Sequence, residues 1–206
     1  AKQIKEAGIE INSVIPVPTT GRPMAAGLAD KLKIRYREGL IKNRYIGRTF
    51  IMPGQGIRKR SLKFKLHPIE LEFKNNNVLL VDDSIVRGNT SKKIIEICKE
   101  AGAKKVYFAS ASPPIISTDP YGIDLPTKAE LIAANQSIEE IRKHIGADGL
   151  FYNTIEDMRS AIQVGNKKIK QFSDGCFTKK YPTPEITPKL LRSIGDGRNS
   201  TRKKHI

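Results

Sequence analysis

The chain has 206 residues, of which 38% are hydrophobic and 28% are charged, as is usual for a globular domain. It contains no apolar run of about 18 residues, so we predict neither a membrane span nor a signal peptide. Its two cysteines, Cys98 and Cys176, are too few for a disulfide framework, and we expect a reducing, cytoplasmic location. The formal net charge of +16 points to anionic partners, either nucleic acid or a small substrate rich in phosphate.

The first third of the chain predicts a strand, a helix and a long loop. Residues 1–13 read as the end of a helix closed by Gly8, which suggests that the chain is part of something longer. Residues 13–17 predict a short strand, followed by a turn at residues 18–21 and a helix with Pro23 in its first turn. Residues 42–65 have no clean periodicity and many charges, and loops of this length are usually functional or disordered.

The middle of the chain predicts a strand, a helix and a second strand. NNNVLLVDD is a buried strand because residues 78–81 are apolar without alternation. SKKIIEICKEAGA carries an apolar helical stripe that ends at Gly102, and KKVYFASAS is the next strand. Such a unit joins two parallel strands through a right-handed crossover.

After Pro113 and Pro114 we predict helices near residues 128–134, 137–144 and 155–164, a strand at GLFYN, and an irregular tail past Lys170. The whole pattern predicts an α/β fold with a central parallel sheet flanked by helices. We divide it into one domain, residues 1–170, and a basic tail, residues 171–206.

The positive charge is concentrated in the long loop and the tail. Between Lys31 and Lys65 twelve Lys and Arg residues stand against one acid, Glu38, and from residue 179 onward eight stand against two. Nucleic-acid-binding modules usually interleave aromatic residues with such charge, whereas this chain has no Trp and 6% aromatic residues. The loop therefore favours a phosphate-rich substrate, while the tail fits a solvated basic surface equally well.

A candidate anion site follows the buried strand in VLLVDDSIVRGNTS, residues 78–91. Ligands of parallel sheets collect at the carboxyl ends of strands, and the N–H groups of a helix start bind phosphate. Gly88 permits close approach, although neither GxxxxGK nor GxGxxG is present. Asp82 and Asp83 would repel a phosphate but suit sugar hydroxyls or a shared metal, so a ribose 5-phosphate fits the stretch.

VLLVDDSIVRGNTS closely resembles the phosphoribosyl diphosphate (PRPP) signature of type I phosphoribosyltransferases. Together with KNRYIGRTFIMPGQGIRKRS and GAKKVYFASASPPI, it is similar to the glutamine PRPP amidotransferase family, over residues 1–181. The resemblance implies the type I phosphoribosyltransferase fold with a long flexible lid loop, in an N-terminally incomplete PRPP-binding domain. It also implies an allosteric transferase of purine biosynthesis that converts PRPP and glutamine-derived ammonia to 5-phosphoribosylamine and diphosphate, with Mg²⁺.

The resemblance also assigns residues to roles. Asp82 and Asp83 would bind the ribose hydroxyls, and Mg²⁺ directly or through the substrate. The 5-phosphate would be bound by Ser84, Ile85, Val86, Arg87, Gly88, Asn89 and Thr90. The diphosphate would be bound by Thr19, Thr20 and Gly21, where a strained or cis peptide is implied. The catalytic residues of the lid would be Lys42, Arg44, Tyr45, Arg48 and Lys65.

Partners and departures follow from the same resemblance. Ammonia would come from a glutaminase domain that is not in this chain, a homo-oligomer is expected, and purine nucleotide inhibitors would contact Lys42 and residues 122–126. Thr19 stands where the family usually has an acid, and Asn89 stands where Thr is usual. Some members carry an iron–sulfur cluster, but Cys176 is the only thiolate left at its ligand positions, beside Ser173 and Asp119. We therefore expect no cluster.

Two other functions remain open from the sequence. A PRPP-sensing regulator with the same fold would use the charge of +16 to bind nucleic acid, with affinity that falls steeply with salt and depends on residues 58–65. A salvage phosphoribosyltransferase would share the acid pair. The NRYIGRTF loop argues against both, because neither is expected to have this lid.

Overall fold

The computed structural model describes residues 1–43 and 66–194. Its centre is a five-stranded sheet in the order β2-β1-β5-β6-β7, and every neighbouring pair is parallel. The strands are β1 (Ser13–Pro16), β2 (Arg35–Tyr36), β5 (Asn77–Asp82), β6 (Lys105–Ser110) and β7 (Gly149–Tyr152). A separate antiparallel ribbon pairs β3 (Leu40–Lys42) with β4 (Leu66–Pro68). The predicted central parallel sheet is confirmed.

Helices cover both faces of this sheet. They are α1 (Lys2–Glu6), α2 (Arg22–Leu32), α3 (Glu70–Phe73), α4 (Asn89–Glu100), α5 (Ile132–Asn135), α6 (Ile138–Ile145), α7 (Ile155–Gln163) and α8 (Gly175–Thr178), with a 3₁₀ turn at Lys128–Glu130. Among the helices of residues 1–43 and 66–194, none combines the length and apolar character that crossing a bilayer requires.

The core is divided by the sheet because successive side chains of a strand point to opposite faces. In β5, Val78 and Leu80 pack in one cluster with residues of α4 and α6, such as Ile94 and Ile141. Leu79 and Val81 belong to a second cluster, which α1 and α2 cover. All six residues of β5 are buried, as the unalternating apolar run predicted.

Helix ends follow the local sequence signals. Ser137 accepts the backbone N–H of Glu140, whose carboxylate in turn accepts from the Ser137 backbone, so α6 starts with a capping box. The helix ends at Gly146, which has φ of 75°. The observed bounds of α6, Ile138–Ile145, differ by one residue at each end from the predicted range, residues 137–144.

Two predicted segments differ from the structure. The helix predicted at residues 128–134 is interrupted, because Leu131 adopts an extended conformation that buries its side chain completely against Ile115 and Leu125. The tail predicted to be irregular past Lys170 contains α8, and residues 188–194 are helical. Cys176 of α8 packs into that same cluster. The division into residues 1–170 and 171–206 stays a prediction.

Candidate functional site at the carboxyl edge of the sheet

Two loops meet where β1 and β5 end. The register aligns Pro16 of β1 with Val81 of β5, so the segments that follow these strands leave the sheet side by side. The backbone N–H of Val17 continues this pairing and donates to the Val81 carbonyl oxygen at 2.8 Å. Residues 17–21 therefore lie beside the acid pair, and the structure brings together two stretches that are about sixty residues apart in the sequence.

Gly21 is the residue that allows this close approach. A Cβ at this position would overlap the Val81 carbonyl oxygen and would lie 2.7 Å from the carbonyl oxygen of Val17. Its own N–H donates to that Val17 oxygen at 3.1 Å, which closes the turn before α2. The peptide bond between Pro18 and Thr19 is cis, as the resemblance implied. The loop thus presents backbone groups next to Asp82 and Asp83.

Lys42 is the only one of the predicted catalytic lid residues within the described part of the chain, and it lies at this loop. Its Nζ donates to Thr19 Oγ1 at 3.5 Å. Lys42 is also paired with Leu66 across the β3–β4 ribbon, so both strands of this ribbon lie beside the site. Arg44, Tyr45, Arg48 and Lys65 lie outside the described residues.

The acid pair consists of one buried and one half-buried carboxyl group. Asp82 is 8% exposed, and its Oδ1 accepts the backbone N–H of Asp83 at 2.9 Å. Burial, together with the neighbouring Asp83 charge, raises the pKa of Asp82 to about 7. The carbonyl oxygens of both residues accept backbone N–H groups of Ala111 and Ser112 at 2.9 Å, so the loop after β6 holds the pair from its other side.

Residues 84–90 turn from the acid pair into the start of α4. Ser84 Oγ donates to Asp83 Oδ1 at 2.8 Å, and Gly88 adopts φ of 77°, a left-handed conformation that favours glycine. No side chain caps the start of α4, so the N–H groups of its first turn are free to face a ligand. Asn89 and Thr90 are exposed there. This is the arrangement expected for an anion site at a helix N-terminus.

The 84–90 loop also makes an ion pair, between Arg87 and Glu130, that the sequence did not predict. Arg87 Nε donates to Glu130 Oε1 at 2.9 Å, and the Arg87 Nη2 atom lies 2.8 Å from the same oxygen as an ion-pair contact. Glu130 lies 43 residues farther along the chain, in the 3₁₀ turn. No local pattern links the two positions, and only the three-dimensional fold reveals the pair.

Cys176, Ser173 and Asp119, which the resemblance places at iron–sulfur ligand positions, differ in their burial and contacts. Cys176 is buried, and burial, followed by the charge of Asp119, raises the pKa of its thiol to about 11. The Asp119 carboxylate accepts the backbone N–H groups of Tyr121 and Ile123, while Ser173 is exposed. Within residues 1–43 and 66–194, no three His, Cys, Asp or Glu side chains form a group that could hold a metal ion.

Comparisons with known proteins agree with this geometry. Residues 1–114 match the family of the phosphoribosyl transferase domain. The chain is 50% identical to the amidophosphoribosyltransferase of Pseudomonas aeruginosa, over 94% of its own length and 39% of that protein. It is also 50% identical to that of Saccharomyces cerevisiae, over 88% of its own length and 35% of that protein.

A solved structure extends the comparison to the fold. The glutamine PRPP amidotransferase from B. subtilis, complexed with ADP and GMP, superposes with a TM-score of 0.79 at 40% identity, over 92% of this chain and 42% of that one. The chain therefore spans well under half the length of the relatives it matches. The predicted type I phosphoribosyltransferase fold and the resemblance to amidophosphoribosyltransferases are confirmed. Since the family match covers residues 1–114, more than half of the sequence, the chain belongs to the phosphoribosyl transferase domain family.

Proposed function

We propose that this chain is the phosphoribosyltransferase part of an amidophosphoribosyltransferase, which converts PRPP and ammonia to 5-phosphoribosylamine and diphosphate. One observation carries the proposal. The acid pair at the end of β5 lies between two loops: residues 84–90, which lead into α4, and residues 17–21. Lys42 contacts the second of these loops through Thr19. PRPP has the same order of groups, since a ribose joins a 5-phosphate at one end and a diphosphate at the other.

In this proposal each loop binds one part of PRPP. The N–H groups of residues 84–90, with the positive end of the α4 dipole, hold the 5-phosphate. Asp82 and Asp83 accept hydrogen bonds from the ribose hydroxyls, which fixes the ring between the two anionic ends. The turn of Thr19, Thr20 and Gly21 faces the diphosphate, and the Lys42 ammonium adds a positive charge beside Thr19.

The reaction separates charge, and this arrangement stabilises the separation. The ammonia nitrogen forms a bond to the anomeric carbon while the bond from that carbon to the diphosphate oxygen breaks, and the new ammonium group then loses a proton to solvent. Positive charge develops on the ring, near Asp82 and Asp83, and negative charge develops on the leaving diphosphate, near Lys42. Donors that are already oriented toward a developing charge contribute most to such a step.

The acid pair also fits Mg²⁺, provided that the substrate supplies further ligands. Magnesium usually takes one or two carboxylates together with phosphate oxygens and water. One oxygen of Asp82 accepts from the Asp83 backbone and one oxygen of Asp83 accepts from Ser84, which leaves the second oxygen of each carboxylate for a ligand. When bound, the ion would neutralise negative charge on the diphosphate.

The partners implied by the resemblance to amidophosphoribosyltransferases form part of the proposal. Ammonia would come from a glutaminase domain, and a homo-oligomer remains expected. Purine nucleotides would inhibit through contacts near Lys42 and residues 122–126, of which Leu125 and Pro126 are buried while Gly122, Ile123 and Asp124 are exposed. The ADP and GMP bound to the B. subtilis enzyme support this class of inhibitor.

Diphosphate release tests the proposed function. We expect the chain to release diphosphate from PRPP and Mg²⁺ when ammonium is supplied at alkaline pH, and not when glutamine alone is supplied. PRPP binding without release under either condition would contradict the transferase activity. Nucleic-acid binding that weakens steeply with salt, in the absence of release, would instead favour the regulator.

Lys42 provides a prediction for the chemical step. Replacing Lys42 by Gln removes the positive charge beside Thr19, and we expect kcat with ammonia to fall about 100-fold, the usual effect of losing one oriented donor to the transition state. Replacing the exposed Lys31 of α2 by Gln changes the net charge equally and serves as the control. If both variants lost activity equally, Lys42 would act only through the overall charge.

A further inference from the structure

The ion pair between Arg87 and Glu130 is one of several contacts that join the 84–90 loop to residues 127–132. Glu130 Oε1 accepts from Arg87 Nε and forms an ion-pair contact with Arg87 Nη2, and Glu130 Oε2 accepts from the hydroxyl of Thr127 at 3.3 Å. Burial alone would raise the pKa of Glu130, but Arg87 and Thr127 together hold it below its usual value. The carboxylate is therefore ionised at neutral pH and engaged on both oxygens.

Backbone and apolar contacts complete the attachment. The N–H of Ile132 donates to the Val86 carbonyl oxygen at 3.0 Å. A Cβ at Gly88 would lie 2.8 Å from Ile132 Cδ1, which shows how closely this side chain packs on the loop. Three consecutive loop residues, Val86, Arg87 and Gly88, thus contact the same segment.

The direction of the Arg87 side chain matters for its role. An arginine in a phosphate-binding loop is naturally read as a phosphate ligand, because its guanidinium pairs well with phosphate oxygens. Here the Nε–H is used by Glu130 and Nη2 lies at ion-pair distance from the same carboxylate oxygen, so the negative charge of Glu130 offsets the positive charge of the guanidinium. The arrangement suits an anchor for the loop better than a ligand for the 5-phosphate.

We propose that Glu130 is a positioning residue for the 84–90 loop, and that Arg87 acts through this ion pair and not as a side-chain ligand of the phosphate. The inference rests on the proposed function, in which the backbone of this loop binds the 5-phosphate of PRPP. A phosphate site built from N–H groups binds well only if the loop already holds the bound conformation, since ordering the loop on binding reduces the affinity. The anchor supplies that order.

The Arg87–Glu130 ion pair is too exposed to contribute much to the free energy of unfolding. Both side chains are 37% exposed, and ion pairs at such positions contribute little to the stability of the fold. Replacing Glu130 by Gln keeps its shape and removes its charge. We therefore expect a folded variant with nearly unchanged thermal stability, in which the loop is held less firmly.

The experiment measures PRPP binding by titration calorimetry with Mg²⁺, together with steady-state kinetics with ammonia. For Glu130→Gln we expect the Kd and the KM for PRPP to rise about tenfold and kcat to stay within about twofold, because binding and not chemistry is affected. The matched control is Glu139→Gln in α6, which breaks a similar two-contact pair with Arg142, and PRPP binding should be unchanged.

A double-mutant cycle separates the anchor from a phosphate ligand. We expect Arg87→Gln, Glu130→Gln and the double variant to weaken PRPP binding equally, since each breaks the same pair. If Arg87→Gln were about tenfold weaker than Glu130→Gln, Arg87 would bind the phosphate directly and the inference would be wrong. Wild-type affinity in Glu130→Gln would overturn the positioning role alone, whereas absence of PRPP binding by the unmodified chain would overturn the proposed function itself.

Discussion

Replacing Asp82 by Asn is expected to weaken PRPP binding while making the folded chain more stable at neutral pH. The binding loss is expected because a carboxylate proposed to accept hydrogen bonds from the ribose hydroxyls becomes a neutral amide. A hydrogen bond to a charged group contributes about 1.5–3 kcal/mol, so the Kd for PRPP should rise roughly 10- to 100-fold. Titration calorimetry with Mg²⁺ measures this change, and an unchanged Kd would contradict the ribose assignment. Asp83→Asn is expected to weaken binding in the same way.

The stability gain follows from the raised pKa of Asp82. Its pKa is about 7 in the folded chain, against an ordinary value of 3.8. Below pH 4 the group is protonated in both the folded and the unfolded chain, and its burial brings no ionisation penalty. Between pH 4 and 7 the unfolded chain releases the proton while the folded chain keeps it, so the free energy of unfolding falls, by up to roughly 4 kcal/mol.

Asn at this position does not ionise and therefore avoids that loss. Its side-chain oxygen can still accept the Asp83 backbone N–H, as Asp82 Oδ1 does. Thermal denaturation should show a higher Tm than the unmodified chain at pH 8 and nearly the same Tm at pH 4. The control is Asp30→Asn, which removes an exposed carboxylate paired with Lys33 and should leave PRPP affinity unchanged without raising Tm. An equal Tm at pH 8 would mean that Asp82 is not a buried charge.

A buried carboxyl group beside a second, half-buried one is unfavourable for folding alone, which suggests a functional reason for the pair. Asp82 is buried, and its backbone hydrogen bond from Asp83 compensates its charge only partly. Carboxyl groups whose pKa is raised by burial and by a neighbouring like charge are concentrated at functional sites, where a ligand can offset the unfavourable charge. Ribose hydroxyls and Mg²⁺ are both ligands that would offset it here.

The main strands could be predicted because their signals are local. β5 is an apolar run long enough to be buried on both faces, and turn residues end β1 and β6. The short strands β2, β3 and β4 were missed, since two or three residues carry no periodicity and their pairing depends on neighbours from elsewhere in the chain. Leu131 was missed for a similar reason, because tertiary packing overrides its helical surroundings.

The site was predictable only in part, for comparable reasons. The acid pair, the turn at Gly88 and the start of α4 are adjacent in the sequence and could be read together. Their assignment to PRPP required the resemblance. The contact of Lys42 with Thr19 and the anchor on Arg87 join residues that are distant in the sequence, and the pKa of Asp82 depends on how deeply the fold buries it.

Replacing Gly21 by Ala is expected to lower the free energy of unfolding, whereas the same replacement at Gly27 in α2 is expected to raise it. At Gly21 the backbone conformation is one that alanine accepts, with φ of −67°. The added Cβ would nevertheless meet backbone oxygens of Val17 and Val81, which cannot rotate away as a side chain would. Either the 17–21 loop or the end of β5 must move, and overpacking of this kind costs about 1–3 kcal/mol in the free energy of unfolding.

Gly27, within α2, is the matched control, because a Cβ there meets no atom within 4 Å other than its chain neighbours and the backbone of its own helix. Gly27→Ala should raise the free energy of unfolding by about 0.5–1 kcal/mol, the usual gain from replacing an exposed helical glycine. Gly21→Ala should lower it, and should also weaken PRPP binding about tenfold or more, because the displaced loop is the one proposed to face the diphosphate. Urea denaturation of both variants measures the change in the free energy of unfolding, and titration with PRPP measures the change in affinity. If Gly21→Ala were destabilised but bound PRPP normally, the 17–21 loop would support the fold without contacting the substrate.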